Sequence, residues 1–202
     1  AAILNVTPDH LDRHGTMENY TAAKARILEN QTKEDLAILN WDDPLVRSLS
    51  RLAKGRVLYF SSQEKLANGL YLNGEDIIFC HDEQSGNSMH DGLNGKEGGN
   101  AQGCEGKQDG EGKQKRKIVS SRDLLLRGRH NLENVMAGIA VGLELGLSDE
   151  QIARVLADFQ PVKHRQEIVG TFNGILYIND SKGTNPDSSM KALQSYEEPI
   201  VL

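Results

Sequence analysis

Directly after the apolar stretch 174–178 come Asn179, Asp180, Ser181 and Lys182, with Thr184 two positions on. Arg and Lys neutralise phosphate oxygens, and a carboxylate accepts from a ribose hydroxyl or orients a lysine, so this group with His164 and Arg165 suits a polyphosphate. A surface ion-pair cluster at a turn is the plainer alternative. Three further places could do chemistry. His10, in "TPDHLDRHG", stands just past a strand end, where α/β sheets gather ligands, although it also suits an ordinary surface position. Lys24 falls on the same helix face as Tyr20, Ala23 and Ile27. A buried amine loses its proton more readily and can then capture carbon dioxide as a carbamate, a carboxylate-like metal ligand. The bland reading is a lysine that snorkels from the edge of that face. Asn131 and Asn134, three apart at a helix start, carry the paired donor and acceptor that an adenine edge requires, or serve only as caps.

The elements that must position these groups alternate. "AAILNV" reads as a short strand stopping at Thr7-Pro8. Thr16 N-caps a helix reaching about Glu29, with Glu18 in its first turn. "DLAILNW" is a second buried strand, ending in Asp42-Asp43-Pro44. Leu45, Leu49 and Leu52 mark the next helix and "RVLYF" a third strand. "GLYLNGEDIIFC" is a hairpin turned at Asn73-Gly74, whose partner strand resumes at "KIVSSRDLLL". "GRHNLENVMAGIAVGLELG" is a helix with Leu132, Val135, Met136, Ile139 and Leu143 on one face, and Gly138 and Gly142 admit a close neighbour. Ser148 and Gln151 form a capping box for the helix after it. "FQPVKHR" is a connector, followed by strands "EIVGTF" and "GILYIND", a helix over about 188–196 and a strand "PIVL". This order predicts an α/β fold with a mostly parallel sheet flanked by helices, extended by antiparallel strands.

Composition narrows the partners. A net charge of −6 and 38% hydrophobic residues suit a globular protein with a small-molecule site, with no nucleic acid and no membrane surface as partner. Cys80 and Cys104 share no metal-ligand spacing, so neither a zinc site nor a disulfide framework is expected, and the cytosol is the expected compartment. Residues 82–117 hold nine of the 20 glycines and few large apolar side chains. Such a segment cannot offset its ordering entropy by burial, so an unstructured insertion is expected. Its "NGK" lacks the preceding strand and following helix that a phosphate loop needs.

The stretches "NVTPDHLDRHGTMENYTAAKARI", "NWDDP", "GRHNLENVMAGIA" and "HRQEIVGTFNGILYINDSKGTNPDS" resemble the Mur ligase family, and the "NDSKGTNP" segment resembles the branch that adds D-glutamate. The resemblance implies a central ATP-binding domain over 1–161 and the start of a Rossmann-like C-terminal domain over 162–202. It implies an ATP-dependent amide ligase of peptidoglycan precursor synthesis: ATP phosphorylates the carboxylate of UDP-N-acetylmuramoyl-L-alanine, and D-glutamate attacks the acyl phosphate. On this resemblance His10 and Lys24, the latter as a carbamate, hold Mg2+. Asn131 and Asn134 contact adenine, and Arg165, Asp180 and Lys182 reach the nucleotide. Thr184, with Lys182 beside it, receives D-glutamate. A monomer is expected.

No G-x-x-G-K-[ST] motif occurs in a strand-to-helix context, and the chain opens without Met. The chain is therefore expected to be part of a longer ligase whose phosphate-binding loop precedes Ala1, and to be inactive alone. Two alternatives stand: a related ligase with another amino-acid acceptor, and a non-catalytic nucleotide-binding module.

Overall fold

The computed structural model describes residues 1–82, 107–109, 113–184, 186–196 and 198–202. Its strands in chain order are β1 (Ala2–Ile3), β2 (Leu36–Asn40), β3 (Arg56–Ser61), β4 (Gly69–Asn73), β5 (Asp76–Asp82), β6 (Lys107–Asp109), β7 (Lys113–Ser120), β8 (Glu167–Phe172) and β9 (Ile175–Asn179). The helices are α1 (Leu11–His14), α2 (Met17–Ala25), α3 (Pro44–Ser48), α4 (Arg129–Glu144), α5 (Asp149–Asp158) and α6 (Pro186–Leu193). Seven strands form one mixed sheet in the order β1-β2-β3-β4-β5-β7-β6, parallel from β1 to β4 and antiparallel beyond. The expected α/β architecture with an antiparallel extension is what forms.

Strand periodicity builds three layers. Along β2, Leu36 and Ile38 join Phe60, Met136 and Ile139 in a core beneath α4 and α5. Ala37 and Leu39 point the other way, to Ile3, Tyr20, Leu28 and Val46 under α2 and α3. A strand with apolar residues on both faces is buried on both, which is why "LAIL" is continuously apolar. Local signals set the ends: Thr16 Oγ1 accepts from the Asn19 N–H at 3.2 Å, Asp43 caps α3 with Pro44 in its first turn, and Ser148 and Gln151 form the capping box.

Several expectations are corrected. The buried side of α2 carries Tyr20 and Ala25, with Leu28 just beyond, whereas Ile27 is 55% exposed and Ala23 is exposed. The face drawn through Tyr20, Ala23 and Ile27 was therefore rotated toward solvent. In α3 and the turn after it, Val46 and Leu49 are buried, while Leu45 and Leu52 are exposed. The two residues between β4 and β5 are Gly74 and Glu75, and the positive φ is at Gly74. Only Gly142 of the α4 pair meets a neighbour: a Cβ there would lie 3.1 Å from the Ile152 side chain, while Gly138 faces open space.

The unstructured segment expected over 82–117 is also corrected at its ends. Asp82 closes β5, and Lys107–Asp109 and Lys113–Lys117 are strand. The ladder to β5, the Arg116 guanidinium 4.8 Å over the Phe79 ring and its 2.7 Å ion pair with Asp149 hold this strand in place. The rest of the segment, 83–106 and 110–112, lies outside the described residues.

β8 and β9 form a separate antiparallel pair, and α6 starts two residues earlier than expected. "PIVL" is not a strand: Val201 and Leu202 are 96% and 100% exposed, with no described strand beside them to pair. Among the described residues no helix is long and apolar enough to cross a membrane.

Candidate functional site

β1, β2 and β3 end on the same edge of the parallel part of the sheet, where the first turns of α4 arrive. The connector after α5 and the turn after β9 come in from the other side. Between them lies a cavity of about 610 Å³ whose wall includes Lys24, Asn131, Asn134, Arg165, Asp180 and Lys182. Six of the residues singled out in the sequence thus meet in one space, although the chain separation between Lys24 and Lys182 is most of its length.

Each is held by a definable local cause. Helix α4 begins at Gly128, which sits at φ 87 as its N-cap, so neither asparagine is the cap. Asn131 Nδ2 donates to the Arg127 carbonyl at 2.6 Å, and Asn134 Nδ2 lies 3.5 Å from Asn131 Oδ1. The pair forms a short amide row at the cavity. Lys24 is exposed and carries its ammonium 4.9 Å from the centroid of the buried Tyr20 ring. Lys24 is therefore solvent-facing, not buried beneath α2.

The acid–lysine adjacency divides into two tasks. Asp180 Oδ1 accepts from the Gln166 N–H at 3.0 Å, and the Lys182 N–H donates to the His164 carbonyl at 3.0 Å. These bonds lock the turn after β9 to the connector on both sides of Arg165. His164 and Gln166 both adopt positive φ, 65° and 47°, so the connector is kinked around Arg165. The Lys182 and Arg165 side chains remain exposed at the cavity. Asp180 positions the backbone, and the two cations face the cavity.

Two expected site residues lie elsewhere. His10 takes a left-handed conformation, φ 51, at the start of α1, and its Nε2 is 3.6 Å from Asp9 Oδ2 with the side chain 68% exposed. Asp9, not His10, lines the cavity. Thr184 is exposed and outside the cavity wall, beyond Gly183.

Sequence reading missed a polar cluster behind the asparagines. Glu133 lines the cavity, and its Oε1 and Oε2 lie 2.8 Å from Ser62 Oγ and 3.4 Å from Asn40 Nδ2. Asn40 also donates to the Leu4 carbonyl at 2.9 Å. Asp42 Oδ2 accepts from the Ser62 N–H at 2.7 Å, and Arg129 donates from Nε to Ser62 Oγ at 2.9 Å. Burial, chiefly, and then the Asp42 charge hold the Glu133 carboxyl above the usual carboxylate range, against Ser62, Lys191 and Arg129. His130, half-buried and 3.1 Å from the Gln166 amide, is pushed below the usual histidine value, mainly by burial. Its members come from distant stretches, among them "NWDDP" and "RHNLENV", that meet only in the fold, so neither stretch alone shows the cluster.

Among the described residues no group of three His, Cys, Asp or Glu converges as a ready metal site. A Mg2+ ion keeps several waters and takes phosphate oxygens, so it needs only one or two protein carboxylates. Asp9 and Lys24 line the cavity, so a carbamate on Lys24 would meet that demand together with Asp9, whereas the His10 ring stands outside the wall, 68% exposed. They do not fit an all-protein cage.

The Mur ligase middle domain profile matches residues 1–142. The chain is 52% identical over 200 residues to a UDP-N-acetylmuramoylalanine–D-glutamate ligase of Desulfitobacterium hafniense, covering 99% of this chain and 37% of that protein. It is 43% identical over 202 residues to the enzyme of the same name from Clostridioides difficile, covering 100% and 38%. This chain thus spans well under half the length of these relatives. Among solved structures, MurF from Acinetobacter baumannii superposes with a TM-score of 0.61 at 23% identity, over 96% of this chain and 36% of that one. A pseudomurein peptide ligase type C from Methanothermus fervidus gives 0.60 at 17% identity, over 98% and 41%. At these identities the two structures speak for the shared fold alone.

Proposed function

The chain belongs to the Mur ligase family, and from that premise we propose that it is the nucleotide-binding part of an ATP-dependent ligase joining D-glutamate to UDP-N-acetylmuramoyl-L-alanine. The observation that carries this reading is the single cavity walled by Lys24, Asn131, Asn134, Arg165, Asp180 and Lys182. The D-glutamate assignment is supported by the names of the relatives at 52% and 43% identity and by the "NDSKGTNP" segment.

In the proposed reaction the substrate carboxylate attacks the γ-phosphorus of ATP and ADP leaves. The amine of D-glutamate then attacks the acyl carbon, phosphate departs, and the amine loses its proton. Asn131 and Asn134 offer donors and acceptors to the adenine edge. Arg165 and Lys182 neutralise charge as it spreads over the transferred group, and because the turn carrying Lys182 is bonded to the connector carrying Arg165, they approach as one unit. Thr184, beside that turn, meets the incoming D-glutamate. Magnesium would be held by Lys24 as its carbamate and by Asp9 on the same wall, with His10 joining only once its ring turns in from solvent, and it would neutralise phosphate oxygens.

Omission assays on the full-length protein test the reading. ADP should appear only when ATP, UDP-N-acetylmuramoyl-L-alanine and D-glutamate are all present. ADP release at the same rate without either co-substrate, or none with all three, would contradict it. The last result would favour a non-catalytic nucleotide-binding module.

A further inference from the structure

The Ser62 hydroxyl is shared by more groups than its one hydrogen can serve. Its Oγ lies 3.0 Å from Asp42 Oδ2 and 2.8 Å from Glu133 Oε1, and it accepts the Arg129 Nε–H at 2.9 Å. A hydroxyl donates once and accepts twice. With both carboxylates ionised, the single hydrogen goes to one of them, and the other is left facing an oxygen at contact distance with no proton between. One proton on Glu133 completes the set: Glu133 O–H donates to Ser62, Ser62 O–H donates to Asp42, and Arg129 donates to the remaining lone pair. The Ser62 hydrogen goes to Asp42, whose carboxylate already accepts from the Ser62 N–H at 2.7 Å and from Ser61 Oγ.

The position of this proton has a consequence for the cavity. Ser62 and Asn40 are buried at the ends of β3 and β2, and Glu133 ties both to the first turns of α4. Asn134 is the next residue, and Asn131 lies on the turn before. We propose that Glu133 is a proton-holding positioning residue: in its protonated form it docks the start of α4 on the ends of β2 and β3 and so presents Asn131 and Asn134 to the base of the nucleotide.

The charged groups facing Glu133 are Asp42 from the loop after β2, Arg129 from α4 and Lys191 from α6. Burial and Asp42 favour the proton; Arg129 and Lys191 oppose it. Because the folded value is raised above 4.5, the docked arrangement is fully present below that pH and is lost as pH rises through the folded value. This inference rests on the cavity being the ATP site.

The test is ATP affinity against pH in the full-length protein, measured by calorimetry and so independent of turnover. The wild type should lose about three- to tenfold in affinity across a one-proton step as pH rises, the scale of one hydrogen bond. Glu133→Gln, whose amide donates to Ser62 as the protonated acid does, should flatten that step, and what slope remains is the titration of ATP itself. Ser62→Ala provides a second arm should Glu133→Gln fail to fold. It removes the proton's acceptor, so the step must move or vanish. Coincident profiles for wild type and Glu133→Gln, or an unmoved step in Ser62→Ala, overturn the proposal while leaving the ATP site standing. A full-length protein that binds no ATP at any pH overturns both.

Discussion

Gly128→Ala should destabilise the protein by about 2–5 kcal/mol, and about half of that cost should depend on Ser195. Gly128 has φ 87, in the left-handed region, where a Cβ costs roughly 1–2 kcal/mol. The new Cβ would also lie 2.2 Å from Ser195 Oγ and 2.9 Å from Ser195 Cβ. The hydroxyl can swing aside only by giving up its 2.9 Å bond to the Lys191 carbonyl, a loss of roughly 0.5–1.5 kcal/mol. The Cβ contact cannot be rotated away, so the chain after α6 must shift from the head of α4. Overpacking of this kind costs about 1–3 kcal/mol. Urea unfolding of Gly128→Ala, Ser195→Gly and the double variant gives the assay. Ser195→Gly removes the two Ser195 atoms, so on that background Gly128→Ala should cost the roughly 1–2 kcal/mol of strain plus what the His130 ring, 3.0 Å from the new Cβ, gives up in shifting. An equal cost on both backgrounds would refute the packing argument, and no cost on either would refute the strain argument as well.

Lys24→Ala in the full-length enzyme should lose most activity while remaining folded, since an exposed cation over an aromatic ring contributes only about 0.5–1 kcal/mol. Acetate or formate should restore part of that activity, and Lys24→Arg should resist rescue; full activity of Lys24→Ala in bicarbonate-depleted buffer would leave the carbamate role without support. Thr184→Ala should raise the KM for D-glutamate more than that for ATP, and equal changes in both would remove Thr184 from the acceptor site. His130, held below 6.5 mainly by burial, contributes stability that is present above 6.5 and lost as pH falls through its lower folded value. His130→Gln should therefore weaken the fall in melting temperature on acidification, and identical pH profiles for variant and wild type would contradict this.

Where neighbouring residues carried the whole signal, the sequence was sufficient. The Ser148–Gln151 capping box, the Thr16 cap and the doubly apolar β2 need only local chemistry, and each formed. The face of α2 was misread because Tyr20, Ala23 and Ile27 satisfy the same spacing as the true contact set, and only β1, β2 and α3 on the far side decide between them. Glu133 was missed for a related reason. Its partners, Asn40 and Ser62, lie 93 and 71 residues away, so no window along the chain contains the cluster. His10 was expected just past a strand end, but β1 already stops at Ile3, and the left-handed turn that points the ring to solvent beside Asp9 is a loop conformation without periodicity. In the strands flanking 82–117, composition gave too little weight to ladder pairing: Lys113–Lys117 is polar yet finds a full partner in β5.

The most direct measurement is an amino-acid panel on the full-length protein, with ATP and UDP-N-acetylmuramoyl-L-alanine supplied and the product weighed by mass spectrometry. The account predicts a mass increase of one glutamate residue with D-glutamate, and none with L-glutamate, L-alanine or a diamino acid. Preferential incorporation of a diamino acid, or equal incorporation of both glutamate enantiomers, would contradict it.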